Sequence, residues 1–311
     1  MIGAIASLAA AGATLPAIAQ TDQPTNWCLG KDGATPDQQV NGCTAVIAAG
    51  KYSGAALAFA FANRCKAYAD LKDTDKALAD CNQAIQLDPN YAVAFNNRGF
   101  VWRSRRDLDR ALADYSAAIR LDPRDPFTLN NRGVVLAARK SYDPAIADYS
   151  EAIRLSAHLD ELRRVPFYRN RALAYQAKKD FARALPDFDR VTRLAPTDAA
   201  IWNARCWARA VLGNDLDQAI ADCVEALLLA PNDPAALDSR GFANLKSGDL
   251  DAAIADYDAA LARNPKLAGS LYGRGFAKTA KGNTDGGNAD IAAAKAIQAD
   301  IADEMAGYGL K

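Results

Sequence analysis

Apolar and small residues return at i, i+3, i+4 and i+7 through stretches of about a dozen residues, the spacing that gives a helix one continuous apolar face. The stretches come in pairs. Between the two members of a pair stand charged or Gly-containing turns: LKDTDKA, RRDLDRA, RKSYDPA, KKDFARA, LGNDLDQA and KSGDLDAA. After the second member a Pro usually follows, at Pro89, Pro123, Pro196, Pro231 and Pro265. Proline lacks an N–H and clashes with the preceding turn, so it stops a helix at that point. The pattern predicts an all-α chain of helical hairpins.

The hairpins recur at a fixed period. An Arg preceding a small residue in the first helix stands at Arg64, Arg98, Arg132, Arg171, Arg205, Arg240 and Arg274, with steps of 34, 34, 39, 34, 35 and 34 residues. The first six repeats each carry an ALADY-like run in the second helix: ALADC, ALADYSAAI, AIADYSEAI, ALPDFDRV, AIADCVEAL, AIADYDAAL. Such self-similarity marks a stack of like supersecondary elements, each burying its apolar face against the next. The segment NNRGFVWRSRRDLDRALADYSAAIRLDP, with Gly99 in the first helix, then Ala111, Tyr115, Ala118 and Pro123, resembles the tetratricopeptide repeat. The resemblance covers about 58 to 301 as seven repeats: 58–91, 92–125, 126–164, 165–198, 199–233, 234–267 and 268–301. It implies a right-handed superhelical solenoid of antiparallel helix hairpins whose first helices line a concave groove. Residues 20–57, whose DQQVNGCTAVI follows the second-helix pattern, are expected to form a partial hairpin of the same kind, and 302–311 to end the C-terminal cap. The third repeat has Ala157 in place of its Pro and an inserted SAHLDELRR, so either its second helix runs on or the stack bends there. The last repeat lacks both the aromatic residue and the Pro, as suits a terminal cap.

Every repeat sets its Arg against an Asp in the second helix: Arg64 with Asp80, Arg98 with Asp114, Arg132 with Asp148, Arg171 with Asp187, Arg205 with Asp222, Arg240 with Asp256 and Arg274 with Asp290. Residues symmetric about a hairpin turn face each other, so these pairs are expected either to meet across the hairpin or to bridge to the next repeat. Seven equivalent copies suit a structural ion-pair ladder and not a catalytic constellation, which needs one perturbed site. The cysteines follow the same phase. Cys65 and Cys81 take the slots of Gly99 and Tyr115, Cys206 and Cys223 take them again, and Cys28 and Cys43 stand fifteen apart in the N-terminal segment. The expected disulfides are Cys28–Cys43, Cys65–Cys81 and Cys206–Cys223, each closing a short loop; the competing reading is buried reduced Cys packing as a small hydrophobe. No CxxC or clustered metal-ligand set is present, so neither redox catalysis nor a metal site is expected.

If the family's groove is present, the residue before the Arg slot lies on or near it: Asn63, Asn97, Asn131 and Asn170, then Ala204, Ser239 and Gly273. This row is similar to the asparagine ladder of the superhelical O-GlcNAc transferase repeats, which implies a grip on the backbone of an extended peptide, since a carboxamide both donates and accepts. The alternative is that each Asn bonds the neighbouring repeat's backbone. Three positions further on stand Lys66, Phe100, Val134, Leu173, Trp207, Phe242 and Phe276, an apolar stripe that is either core or groove lining. Asn96, Asn130, Arg103, Arg169, Asn203 and Gln176 complete the candidate wall. The paired Lys and Asn of a carboxylate clamp are incomplete, so binding of heat-shock chaperone tails is not expected.

Composition narrows the function further. Lys plus Arg and Asp plus Glu both total 37, which leaves no basic field for nucleic acid. The first twenty residues, MIGAIASLAAAGATLPAIAQ, are uncharged and end in the small-x-small Ala17-Ile18-Ala19. They predict a secretory signal over 1–19 and a periplasmic or secreted protein of Gram-negative type, although the first basic residue is only Lys31. No stable membrane insertion is expected. There is no phosphate loop, HExxH or GxSxG, and the single His158 falls in the irregular insertion. The expectation is a non-enzymatic scaffold or adaptor, without cofactor, for a protein or extended peptide, the alternative being a self-associating structural subunit.

Overall fold

A computed structural model describes residues 22–310, so the expected signal segment lies outside the described residues. The described chain is α-helical without strands, forms two compact units divided between Arg105 and Arg106, and contains no helix long and apolar enough to cross a membrane. The N-terminal unit comprises α1 (Gln23–Cys28), α2 (Pro36–Ala48), α3 (Ala58–Asp70), α4 (Thr74–Leu87) and α5 (Ala92–Ser104). The C-terminal unit comprises α6 (Leu108–Leu121), α7 (Pro126–Ala138), α8 (Tyr142–Leu155), α9 (Glu161–Ala177), α10 (Phe181–Leu194), α11 (Ala199–Leu212), α12 (Leu216–Leu229), α13 (Pro234–Ser247), α14 (Leu250–Arg263), α15 (Ala268–Ala280), α16 (Thr284–Ile297) and α17 (Ile301–Gly307). Hairpins α1/α2, α3/α4, α7/α8, α9/α10, α11/α12, α13/α14 and α15/α16 pack face to face, and each second helix also packs on the helix that follows it within its unit.

The turn sequences make the hairpins. Asp73, Asp107, Asp180, Asp215 and Asp249 each accept the N–H three residues on, satisfying a free donor at the start of the second helix. Just ahead of the cap the chain turns through the left-handed region, at Lys72, Arg106, Lys140 and Lys179 (φ 60 to 64°) and at Gly248 and Gly282 (φ 90 and 89°). Only the later repeats place glycine where it costs least.

One seam recurs inside the hairpins. A Cβ on Gly133 would come within 2.5 Å of the Tyr149 ring, and on Gly241 within 3.0 Å of the Tyr257 ring. In α3/α4 and α11/α12 the same slots hold bonded cysteines, Cys65–Cys81 with Cα atoms 5.3 Å apart and Cys206–Cys223 at 5.4 Å. Cys28 and Cys43 join α1 to α2 at 4.4 Å. A Gly–Tyr contact and a disulfide therefore fill one position, the first by ring volume and the second by a covalent tie. Closing loops of this length contributes about 3 kcal/mol in the chain-entropy account.

Beside this seam lie the ion pairs. Nε and Nη2 of Arg64, Arg132, Arg171, Arg205, Arg240 and Arg274 fork onto Asp80, Asp148, Asp187, Asp222, Asp256 and Asp290 at 2.5 to 2.9 Å. The aspartates are buried, and planar bidentate geometry offsets part of their desolvation. Arg98 and Asp114 fall in different units, and their pairing stays an expectation. The remaining nitrogen, Nη1, reaches back to the previous hairpin: Arg64 to Thr44, Arg98 to Asn82, Arg171 to Ser150, Arg205 to Asp189 and Arg274 to Asp258, at 2.6 to 3.1 Å. The same guanidinium thus closes its own hairpin and ties it to its neighbour.

Two places depart from the expected course. The second helix before the SAHLDELRR insertion does not run on; α8 stops at Leu155, a 3-10 turn covers Ser156–His158, and Asp160 caps α9. The surplus residues lengthen α9, which begins ahead of the boundary expected between 164 and 165 and carries Pro166 in its interior. At the C-terminus α17 folds back. Tyr308 packs edge-on against Trp207 (5.2 Å) and Phe181 (6.1 Å), and Lys246 Nζ donates to the carbonyls of Val211 and Tyr308 at 3.0 and 3.2 Å.

Candidate functional site

The first-helix face of the C-terminal unit contains a cavity of about 420 Å³. Leu173 and Gln176 enter it from α9, Asn203 and Trp207 from α11, Asp238 and Ser239 from α13, and Leu267 closes it ahead of α15. Three successive first helices therefore build one concave site, as the hairpin stacking requires. Trp207 is held by ring contacts with Phe242 (4.8 Å) and Tyr308, which leave it half-buried at the cavity wall.

The polar lining includes acceptors that are not fully used. Asp238 accepts from the Ser270 hydroxyl and has no ion-pair partner among the described residues; burial pushes its carboxyl up to about 6, against the smaller opposing pull of that hydroxyl. The side-chain oxygens of Gln176 and Asn203 are buried without a hydrogen-bond partner. Two cations of the same first helices face other carboxylates: Arg169 Nε lies 3.2 Å from Asp198 without making a hydrogen bond, and Arg240 forks onto Asp256. Lys246, its ammonium lowered by burial, is engaged with backbone carbonyls.

Next along the same face, a second hollow of about 270 Å³ is lined by Val134, Tyr142, Asn170 and Leu173. Asn170 donates to Asn130 there, at 2.8 Å. In the N-terminal unit, a cavity of about 420 Å³ is lined by Asp70, Lys72, Thr74, Phe100 and Ser104. Phe100 has Lys66 and Arg103 over its ring, each at 5.1 Å.

The asparagine row splits. Asn97 is 6% exposed and its amide donates to the Ala62 carbonyl at 2.9 Å, a bond between α5 and α3 that removes it from any open groove. Asn63, Asn96 and Asn131 are half-buried on α3, α5 and α7. The slot closes at the far end for a steric reason: a Cβ on Gly273 would lie 2.3 Å from the Tyr257 hydroxyl. The apolar stripe splits as well. Phe242 is core at 1% exposure, while Leu173 (37%) and Trp207 face the cavity. Sequence reasoning passed over Asp238, although it occupies the slot of Asn96, Asn130, Arg169 and Asn203, two residues before each Arg; aligning that column would have found it.

Tetratricopeptide repeat models match residues 58–91, 102–159 with 169–236, and 235–267. Together they cover more than half of the sequence, and the chain belongs to the tetratricopeptide repeat family. No curated protein matches it. Among solved structures it is similar to YrrB, described as a TPR protein with an unusual peptide-binding site (20% identity, TM-score 0.55, covering 61% of this chain and 95% of that one). It is similar also to pilF of Pseudomonas aeruginosa (19%, 0.58, 68% and 94%) and to a tetratricopeptide repeat protein of Parabacteroides merdae (18%, 0.54, 80% and 97%). At these identities the likeness is one of fold.

Proposed function

We propose that the chain is a non-catalytic scaffold that holds an extended polypeptide segment along the first helices of residues 161–274, in an oxidising compartment such as the bacterial periplasm. The carrying observation is the cavity between α9, α11 and α13, where an aromatic wall, an aliphatic wall and carboxamides meet and no second-helix residue enters the lining. The family, and the peptide-binding site named for YrrB, support a polypeptide over a small metabolite. The three joined cysteine pairs and the uncharged leader-like start support export, because structural disulfides persist outside the reducing cytosol.

The test is selection of a displayed random peptide library on the full chain, followed by affinity measurement on a Trp207→Ala, Asn203→Ala variant of unchanged helicity. Selected peptides should bind the variant at least tenfold more weakly; equal affinity would place their site elsewhere. One observation favours self-association as a second reading: Val224 and Leu228, one turn apart on α12, are 38% and 68% exposed. Light-scattering mass that stays monomeric across a hundredfold concentration range would exclude it.

A further inference from the structure

We infer that the α9/α11/α13 cavity is a subsite for a guanidinium group, so that the segment held in the groove presents an arginine side chain there. This rests on the groove reading above and names the chemistry that this cavity selects. The site holds acceptors that lack donors. The Asp238 carboxylate has a hydroxyl from Ser270 and no cation, and the Gln176 and Asn203 oxygens have no donor at all. An orphan buried acceptor is costly to leave unmade, and a guanidinium carries five N–H donors in one plane, enough to serve all three. Trp207 offers its ring at the same wall, and the planar cation stacks on indole better than on any other side chain.

Space and charge agree with this occupant. The basic side chains Arg169, Arg240 and Lys246 face Asp198, Asp256 and backbone carbonyls respectively, and none of them lines the cavity. Gly269 of α15 comes up to this carboxylate without a side chain of its own, and a Cβ there would stand 3.9 Å from both Asp238 oxygens. An anionic side chain would meet the Asp238 carboxylate at the same wall, and that like charge disfavours it.

The test uses the full chain and three capped heptapeptides of alternating alanine and leucine, identical but for a central arginine, citrulline or glutamate, titrated calorimetrically. Citrulline keeps the shape and loses the charge. Wild type should bind the arginine peptide about tenfold more tightly than the citrulline peptide, and the glutamate peptide more weakly still. Asp238→Asn, an isosteric change that leaves the Ser270 bond an acceptor, should bind arginine and citrulline peptides alike. Equal affinity of arginine and citrulline for wild type overturns the inference and leaves the groove reading standing. A preference that survives in Asp238→Asn overturns it also. If none of the three binds while library-selected peptides do, the inference falls alone; if nothing binds, both fall.

Discussion

Replacing Asp238 with Asn is expected to make the protein more stable at neutral pH, the reverse of what truncating a polar network normally does. An ordinary aspartate ionises near 3.8, whereas burial holds this one near 6. Moving that equilibrium costs about 3 kcal/mol at 1.36 kcal/mol per tenfold change. Water at the mouth of the cavity screens part of this, so a gain of about 2 kcal/mol is the working figure. The sign follows from proton binding. Between 3.8 and 6 the folded chain keeps a proton that the unfolded chain has released, so stability contributed by the neutral carboxyl is complete below 3.8 and is lost as pH rises through 6. Tyr257, the other titrating group facing it, is held protonated by burial throughout that range, and the buried aspartates of the ion pairs cancel in a comparison of two proteins that share them. The assay is urea unfolding of wild type and Asp238→Asn followed by far-ultraviolet circular dichroism from pH 4 to pH 8. The difference in stability should be near zero at pH 4 and grow to about 2 kcal/mol in favour of the variant by pH 7. A variant equally or less stable at pH 7, or a difference independent of pH, would refute the claim that this carboxyl is buried without a cation.

Three further outcomes follow from the same geometry. Arg171→Ala leaves Asp187, 5% exposed, as an unpaired buried carboxylate and frees Ser150 on the preceding hairpin, so urea unfolding should show a loss of about 3 kcal/mol, whereas loss of an exposed pair would cost under about 1 kcal/mol. Lys140→Gly relieves a left-handed residue (φ 60°) and should add about 0.5 kcal/mol or more, read as a higher unfolding midpoint. Ending the chain at Asp300 removes Tyr308 from Trp207 and Phe181; with the other tryptophans unchanged, the emission of Trp207 should shift to longer wavelength, and an unshifted spectrum would show that α17 does not shield it.

The repeat was readable because its signals are periodic. Aspartate caps, the Arg and Asp phase and the small-against-aromatic slots each return every hairpin, and helices form where several weak preferences agree. The cysteine slots belonged to that phase, which is why Cys65 faces Cys81 in the position where Gly133 faces Tyr149. What escaped was not periodic or not local. The back-reaching Nη1 contacts depend on the residue after the aromatic slot, which is polar at Thr44, Asn82, Ser150, Asp189 and Asp258 but apolar at Val224. The return of Tyr308 onto Trp207 spans a hundred residues and has no repeat to announce it. Asn97 looked like its neighbours, yet only burial decides whether a carboxamide serves a ligand or the carbonyl of Ala62. Gln176, Asn203 and Asp238 stand on three different helices, so their convergence required the stack itself.

All of this depends on the hairpin register, which sets both the seam and the open face of the first helices. Peptide mapping of the protein without reduction, after expression with export, tests it most directly. The account predicts three cross-linked peptides, joining Cys28 to Cys43, Cys65 to Cys81 and Cys206 to Cys223, with no free thiol. A link between cysteines of different hairpins, or free thiols at 65 and 81 or at 206 and 223 in protein recovered from an oxidising compartment, would contradict it.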